Sequence, residues 1–258
     1  MVARWCVLLV AACGGGSKAR GPDDAARLPI ADGAGSAADA ASTIDAPPGS
    51  TGELAVRVEW KNVAAALRGS PGRTPCNTPR LPALAPTTMW GIPDAFVVVE
   101  GGAPPPADAR IVLADCALHP RVVAAATSIV IASAVDRPAK LVLTKQGTLA
   151  DRGAFHPGEP RTIQLPIAGH AVSIALEPGA VYLLATDAPE PETAWIVAGS
   201  VYVTDATGVA TIKKLPLGPR TVTAWVPARA GQPAKLADAT ATVAVEPAEL
   251  AIDLAVAK

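Results

Sequence analysis

The chain has 258 residues, half of them hydrophobic, with 26 prolines, 22 glycines and only 3% aromatic side chains. That balance excludes wholesale disorder and requires a core built chiefly from aliphatic groups. Its 22 Lys and Arg offset 23 Asp and Glu with no dense basic run, so the electrostatic footprint of a nucleic-acid binder is missing, and so are the aromatic platforms that stack bases.

Arg4 supplies one positive charge, and residues 5–12 form an apolar stretch too short to cross a bilayer as a helix, which takes about 20 residues. It reads as an export leader. The stretch ends Val10-Ala11-Ala12-Cys13-Gly14, which resembles the lipobox of bacterial lipoproteins. The resemblance implies a signal peptide over 1–12, several acyl chains on Cys13, and anchoring of the protein to a membrane through them. Gly14 after the Cys implies the outer membrane of a bacterial cell envelope. Residues 14–52 are rich in Gly, Ala, Asp, Ser and Pro and contain no aromatic. This composition describes a disordered tether with a reach of roughly 35 Å.

From residue 53 the pattern changes. Leu54, Val56, Val58 and Trp60 alternate with polar residues, and Leu250, Ile252, Leu254 and Val256 do the same near the C-terminus. Both are half-buried strands. Between them, short β-rich runs are predicted at 95–100, 110–113, 121–125, 128–132, 140–144, 161–165, 171–176, 180–185, 193–197 and 200–204. Runs at 209–213, 220–226 and 240–245 follow. Pro and Gly punctuate them, as in Pro104-Pro105-Pro106, Pro178-Gly179 and Pro216-Leu217-Gly218. Residues 122–135, the most apolar later stretch, read as two buried strands around a turn. No helical periodicity of useful length occurs, so the expected fold is all-β, a sandwich with Greek-key connections.

Two resemblances attach to these residues. Cys116-Ala117-Leu118-His119-Pro120-Arg121-Val122-Val123, preceded by Cys76, Trp90-Gly91 and Phe96-Val97-Val98-Val99, is similar to the cupredoxin-like secreted proteins of bacterial envelopes. Val203-Thr204-Asp205-Ala206-Thr207-Gly208-Val209-Ala210-Thr211-Ile212, followed by Leu215-Pro216-Leu217-Gly218 and an alternating strand to Trp225, resembles the carboxypeptidase-regulatory-like β module. The resemblances imply a strand at 53–60 that pairs with the C-terminal module, a cupredoxin-like sandwich over 61–199, and the regulatory-like module over 200–258. Residues 13–52 remain as lipidated Cys and tether.

Of four cysteines, Cys6 leaves with the leader and Cys13 is acylated. Cys76 and Cys116 remain, and in an exported chain they invite a disulfide. Closing a loop of about 40 residues contributes roughly 4 kcal/mol in the chain-entropy model. The competing reading pairs Cys116 with His119 around a metal. In an extended strand, positions three apart lie about 10 Å apart on opposite faces, which no single ion bridges.

A blue-copper centre takes two His, a Cys and a weak axial ligand such as Met. In the copper-binding relatives a late loop carries Cys, His and Met. The corresponding loop here, 185–195, contains none of these, and neither does the earlier ligand position near Arg137-Pro138-Ala139-Lys140. His119, His156 and His170 are isolated in sequence, and only a fold that gathers them makes a metal centre. Asp187, Glu190 and Glu192, interleaved with Pro189 and Pro191, read as a solvated rigid loop. Trp60, Trp90, Trp195 and Trp225 read as packing anchors, with an exposed glycan-stacking Trp195 as the rival. No G-x-S-x-G, H-E-x-x-H, C-x-x-C or phosphate loop occurs.

These features describe a non-enzymatic envelope lipoprotein without catalytic residues, cofactor or metal. Its partners are the membrane, through the anchor, and an envelope protein or glycan. The alternative is a periplasmic copper-handling or electron-transfer protein using Cys116, His119 and a distant His.

Overall fold

The computed structural model describes residues 49–70, 72–103, 109–229 and 232–255. Cys13 and the tether through residue 48 lie outside them. Two strands and a single helical turn come first: β1 (Thr51–Glu59), α1 (Ala65–Arg68) and β2 (Phe96–Val99). Nine strands follow: β3 (Arg110–Ala114), β4 (Ala117–His119), β5 (Val122–Ala125), β6 (Ser128–Ser133), β7 (Ala139–Thr148), β8 (Pro160–Leu165), β9 (Ala171–Ala175), β10 (Ala180–Thr186) and β11 (Thr193–Ala198). The last five are β12 (Val201–Val203), β13 (Val209–Pro216), β14 (Gly218–Val226), β15 (Lys235–Val243) and β16 (Ala248–Asp253). The fold is all-β, and the strands form four sheets stacked as two sandwiches.

The first sandwich joins the sheet β13-β1-β16 to the sheet β12-β2-β14-β15. β1 is central in its sheet, antiparallel to β13 and parallel to β16, with Val56 opposite Ala210 on one side and Leu250 on the other. The alternating residues Leu54, Val56 and Val58 point into a core with Val97, Val99, Ile212, Val222 and Ala224. The second sandwich joins β4-β3-β6-β9 to β5-β11-β10-β7-β8. Its core holds Ile111, Ile129, Ile131, Leu141, Leu165, Leu184 and Ile196. The run 122–135 is indeed two strands, but β5 and β6 enter opposite sheets, so the turn between them carries the chain across the sandwich.

A third cluster joins the two sandwiches. Phe96 and Val98 of β2, Val201 and Val203 of β12, and Trp225 of β14 face away from the first core. They meet Val122 of β5, Val181 and Leu183 of β10, and Trp195 and Val197 of β11. The central strands of the two inner sheets are therefore buried on both faces and read as continuous apolar runs, Phe-Val-Val-Val or Ala-Trp-Ile-Val-Ala, while the edge strands β8 and β15 keep exposed polar positions. In the outer sheet β13 alternates, as a sheet with one wet face does. Phe96 stacks on Trp225 at 5.2 Å, and Trp225 meets Trp195 and Phe155 edge-on, each at 5.6 Å.

The strand at 95–100, which the resemblance placed in the cupredoxin-like sandwich, hydrogen bonds instead to β12 and β14. Val63, Leu84 and Ile92 of the irregular segment before it also enter the first core. β15 begins five residues earlier than predicted and ends at Val243, leaving Val245 exposed. Its N-terminal half, Lys-Leu-Ala-Asp-Ala, lacks the apolar alternation of a buried strand, yet it pairs with β14 throughout as an edge strand.

The turn Asp205-Ala206-Thr207-Gly208 is built around one carboxylate. Asp205 Oδ1 accepts from Thr207 N at 2.8 Å, Thr207 Oγ1 at 2.6 Å and Val209 N at 3.1 Å. Gly208 has φ +84°, and a Cβ there would meet the Gly91 backbone at 2.6 Å. Only glycine allows both the left-handed backbone and this close approach.

Replacing Phe96 with Ala empties the centre of the seam and is expected to cost about 3–5 kcal/mol, measured by urea unfolding followed through tryptophan emission. The Thr207 hydroxyl and then the turn amides hold the Asp205 carboxyl below its ordinary value. Its contribution is present above the unfolded pKa of about 3.9 and is lost as pH falls through the lower folded value. Asp205→Asn should flatten the acid limb of the melting-temperature profile between about pH 4 and pH 2.

Candidate functional site

The two segments that the copper-protein resemblance nominates face each other at one end of the second sandwich. Arg137, Pro138 and Lys140, before and at the start of β7, form one wall of a cleft of about 280 Å³. Asp187, Ala188, Glu190 and Glu192, between β10 and β11, form the other, over a floor that includes Leu113 and Leu141. Lys140 Nζ pairs with Asp187 at 2.9 Å, and Arg80 pairs with Glu190 at 2.6 Å and with Glu192 at 2.8 Å. Glu192 N donates to Thr186 Oγ1 at 2.9 Å, closing the loop on itself. The acidic cluster is thus ion-paired rather than simply solvated, and the Glu192 side chain is only 18% exposed.

Cys76 and Cys116 form a disulfide with Cα atoms 5.6 Å apart. Cys116 does not lie in a strand. It sits with Asp115 at the corner between β3 and β4, both with positive φ, 49° and 60°, the backbone of a tight two-residue hairpin turn. The loop carrying Cys76 is held there by Thr74 and Thr78, whose hydroxyls donate to Asp115 O at 3.3 and 3.2 Å. Arg137 Nη2 donates to Cys116 Sγ at 2.8 Å and lies 3.8 Å from Cys76 Sγ. Cys116, the thiolate that the copper reading requires, is engaged with Cys76.

The histidines fall on separate elements: His119 ends β4, His156 lies between β7 and β8, and His170 precedes β9. Among the described residues no three His, Cys, Asp or Glu side chains gather to hold a metal ion. Trp195 is only 7% exposed, and its Nε1 donates to Ala228 O at 2.9 Å. It is a packing anchor in the seam, which removes it as a glycan platform. Trp60 and Trp90 are half-buried. No helix among the described residues is long and apolar enough to cross a membrane.

Three arginines far apart along the chain converge beside this cleft. Arg80, Arg121 and Arg229 line a neighbouring hollow of about 160 Å³ with Glu192 and Trp195. Arg121 Nη1 donates to Pro82 O at 3.0 Å, and Arg229 donates to Ala83 O at 2.9 Å and Asp94 O at 3.1 Å. Burial, and then repulsion from Arg121, pushes the Arg229 guanidinium down to about 10. Burial also lowers Arg121, against the pull of Asp94 and Glu192. These guanidiniums satisfy carbonyls that no strand partner reaches, and so tie the irregular segment 61–94 to both sandwiches. The only local signal is that each arginine stands among Pro and Ala with no acid nearby in sequence.

Comparison with known proteins finds no matching family model, no matching curated protein and no matching solved structure.

Arg80→Ala leaves Glu192 without its ion pair and unfastens the 73–83 loop. We expect a loss of about 2 kcal/mol and a new cleavage in that loop under limited trypsin or chymotrypsin digestion, read by mass spectrometry.

Proposed function

We propose that the chain is a non-enzymatic cell-envelope lipoprotein, held at a membrane through acyl chains on Cys13, whose double β-sandwich is a binding or structural module. The Val10-Ala11-Ala12-Cys13-Gly14 sequence supports the anchor, and the composition of 14–52 supports a spacer between lipid and folded part. Strand orders β4-β3-β6-β9 and β5-β11-β10-β7-β8, with neighbouring strands β4 and β5 feeding opposite sheets, support a cupredoxin-like reading of the second sandwich. The turn around Asp205 and its Gly208 support a regulatory-like reading of the first.

The observation that carries the functional reading is what occupies the loop end of the second sandwich. Where the copper-binding relatives place ligands, this chain places the pairs Lys140–Asp187, Arg80–Glu190 and Arg80–Glu192 over an apolar floor. A cleft with fixed charges of both signs and a greasy base suits recognition of a polar surface, such as an envelope protein or a glycan, better than electron transfer.

The anchor is tested by fractionating cells that express the wild-type protein or Cys13→Ser. The wild type is expected in the outer-membrane pellet and the variant in the soluble periplasmic fraction; a variant that stays in the pellet overturns the anchor.

A further inference from the structure

The Cys76–Cys116 bridge lies across an asymmetric environment. Cys76 is exposed on a loop, whereas Cys116 is 8% exposed at the β3–β4 corner. The Arg137 guanidinium sits on Cys116 Sγ at 2.8 Å and stands 1.0 Å farther from Cys76 Sγ, at 3.8 Å. The other charged groups that face this cleft are Lys140, Asp187, Glu190 and Glu192, with Asp115 adjoining Cys116 in the turn. Lys140 is paired with Asp187, and Glu190 and Glu192 are paired with Arg80. Among the described residues Arg137 makes no ion pair, so its charge is directed at the sulfur.

In thiol–disulfide exchange the attacked sulfur must be open to the incoming thiolate, and the departing sulfur leaves faster as its thiolate is better stabilised. A guanidinium beside a cysteine favours its thiolate. Both requirements assign the same direction here. We propose that the Cys76–Cys116 bridge is a thiol-exchange site for small or protein dithiols, attacked at Cys76 Sγ and releasing Cys116 as a thiolate under Arg137. This step does not depend on the lipid anchor.

In the first step the incoming thiolate forms a bond to Cys76 Sγ. The Cys76–Cys116 bond breaks, and its electron pair stays on Cys116 Sγ. In the second, the other thiol of the donor, deprotonated by solvent base, displaces Cys76 Sγ, which takes up a proton. The donor dithiol leaves as a disulfide, having given two electrons to the protein. Opening removes the covalent tie of the Cys76 loop. Its remaining hold on the corner is the pair of hydroxyl bonds from Thr74 and Thr78 to Asp115 O. Pro75, on that loop, lines the ion-paired cleft together with Cys116, so exchange loosens one wall of the proposed recognition site.

The test uses the full-length oxidised protein at pH 7 with excess dithiothreitol, whose thiolate carries no charge beyond that of the attacking sulfur, and iodoacetamide quenching read by mass spectrometry. Arg137→Gln is expected to slow opening about tenfold and Arg137→Lys to recover most of the rate. In parallel, wild-type protein treated briefly with glutathione and then alkylated should carry glutathione on Cys76 and the alkyl label on Cys116. Equal opening rates in the three proteins, or glutathione mainly on Cys116, overturn the proposal. The adduct map needs no variant, so a misfolded Arg137→Gln leaves the test intact.

Discussion

The architecture depends on burying two β-sheets on both faces at once. A sheet with one wet face places polar groups at alternate positions, but the central strands β2 and β11 have none to spare, because each of their faces meets a core. Phe96, Trp195, Trp225 and Phe155 account for four of the nine aromatics in the chain, and all lie in the seam between these sheets. Rings there fill the wide gap between two twisted surfaces that Ala and Val alone would leave open. Each fully buried side chain of this size contributes about 1.5–3 kcal/mol, so the seam makes one body of two sandwiches.

The seam also determines where irregular chain can lie. The described residues of 61–94 contain, besides isolated bridges, only the single turn α1, and must satisfy their backbone groups without a ladder. Beyond its own turn bonds, such as Leu84 N to Leu67 O and Thr87 N to Gly91 O, the segment borrows donors from both sandwiches: Arg121 just before β5, Arg229 after β14, and the Thr204 hydroxyl, which donates to Ile92 O at 2.7 Å. Because these donors stand beside fixed strands and the acceptors are carbonyls of the segment itself, the loop that carries Cys76 and Arg80 is set against the cleft rather than left free. The ion pairs at the cleft thereby rest on the same inter-sandwich packing as the core.

Strand positions were largely legible because a β-strand is a local object: alternation at Leu54, Val56 and Val58, or an unbroken run at 180–185, reports burial directly. Partners were not legible, since β2 reads equally well as a strand of either sandwich, and only the register of Val97 against Tyr202 and Ala224 decides it. The edge half of β15 was missed because an edge strand with a polar face carries no hydrophobic signal. At the candidate site the disulfide followed from counting cysteines. The arginine fastenings did not, because Arg80, Arg121 and Arg229 are spread over 150 positions and meet only through long-range packing.

β1 pairs along its length with β13 and β16, while β2 and β12 are neighbours with the entire second sandwich threaded between them. A ribosome therefore delivers the inner body complete before it delivers any strand that can lie beside β1. Emerging from N- to C-terminus, β2 waits with bare edges until the second sandwich has been made, β1 waits longer still for β13, and the outer body closes only when β16 arrives. The nested unit is thus the first to have all its strands in hand, but one face of its inner sheet stays bare until β14 delivers Trp225 to the seam.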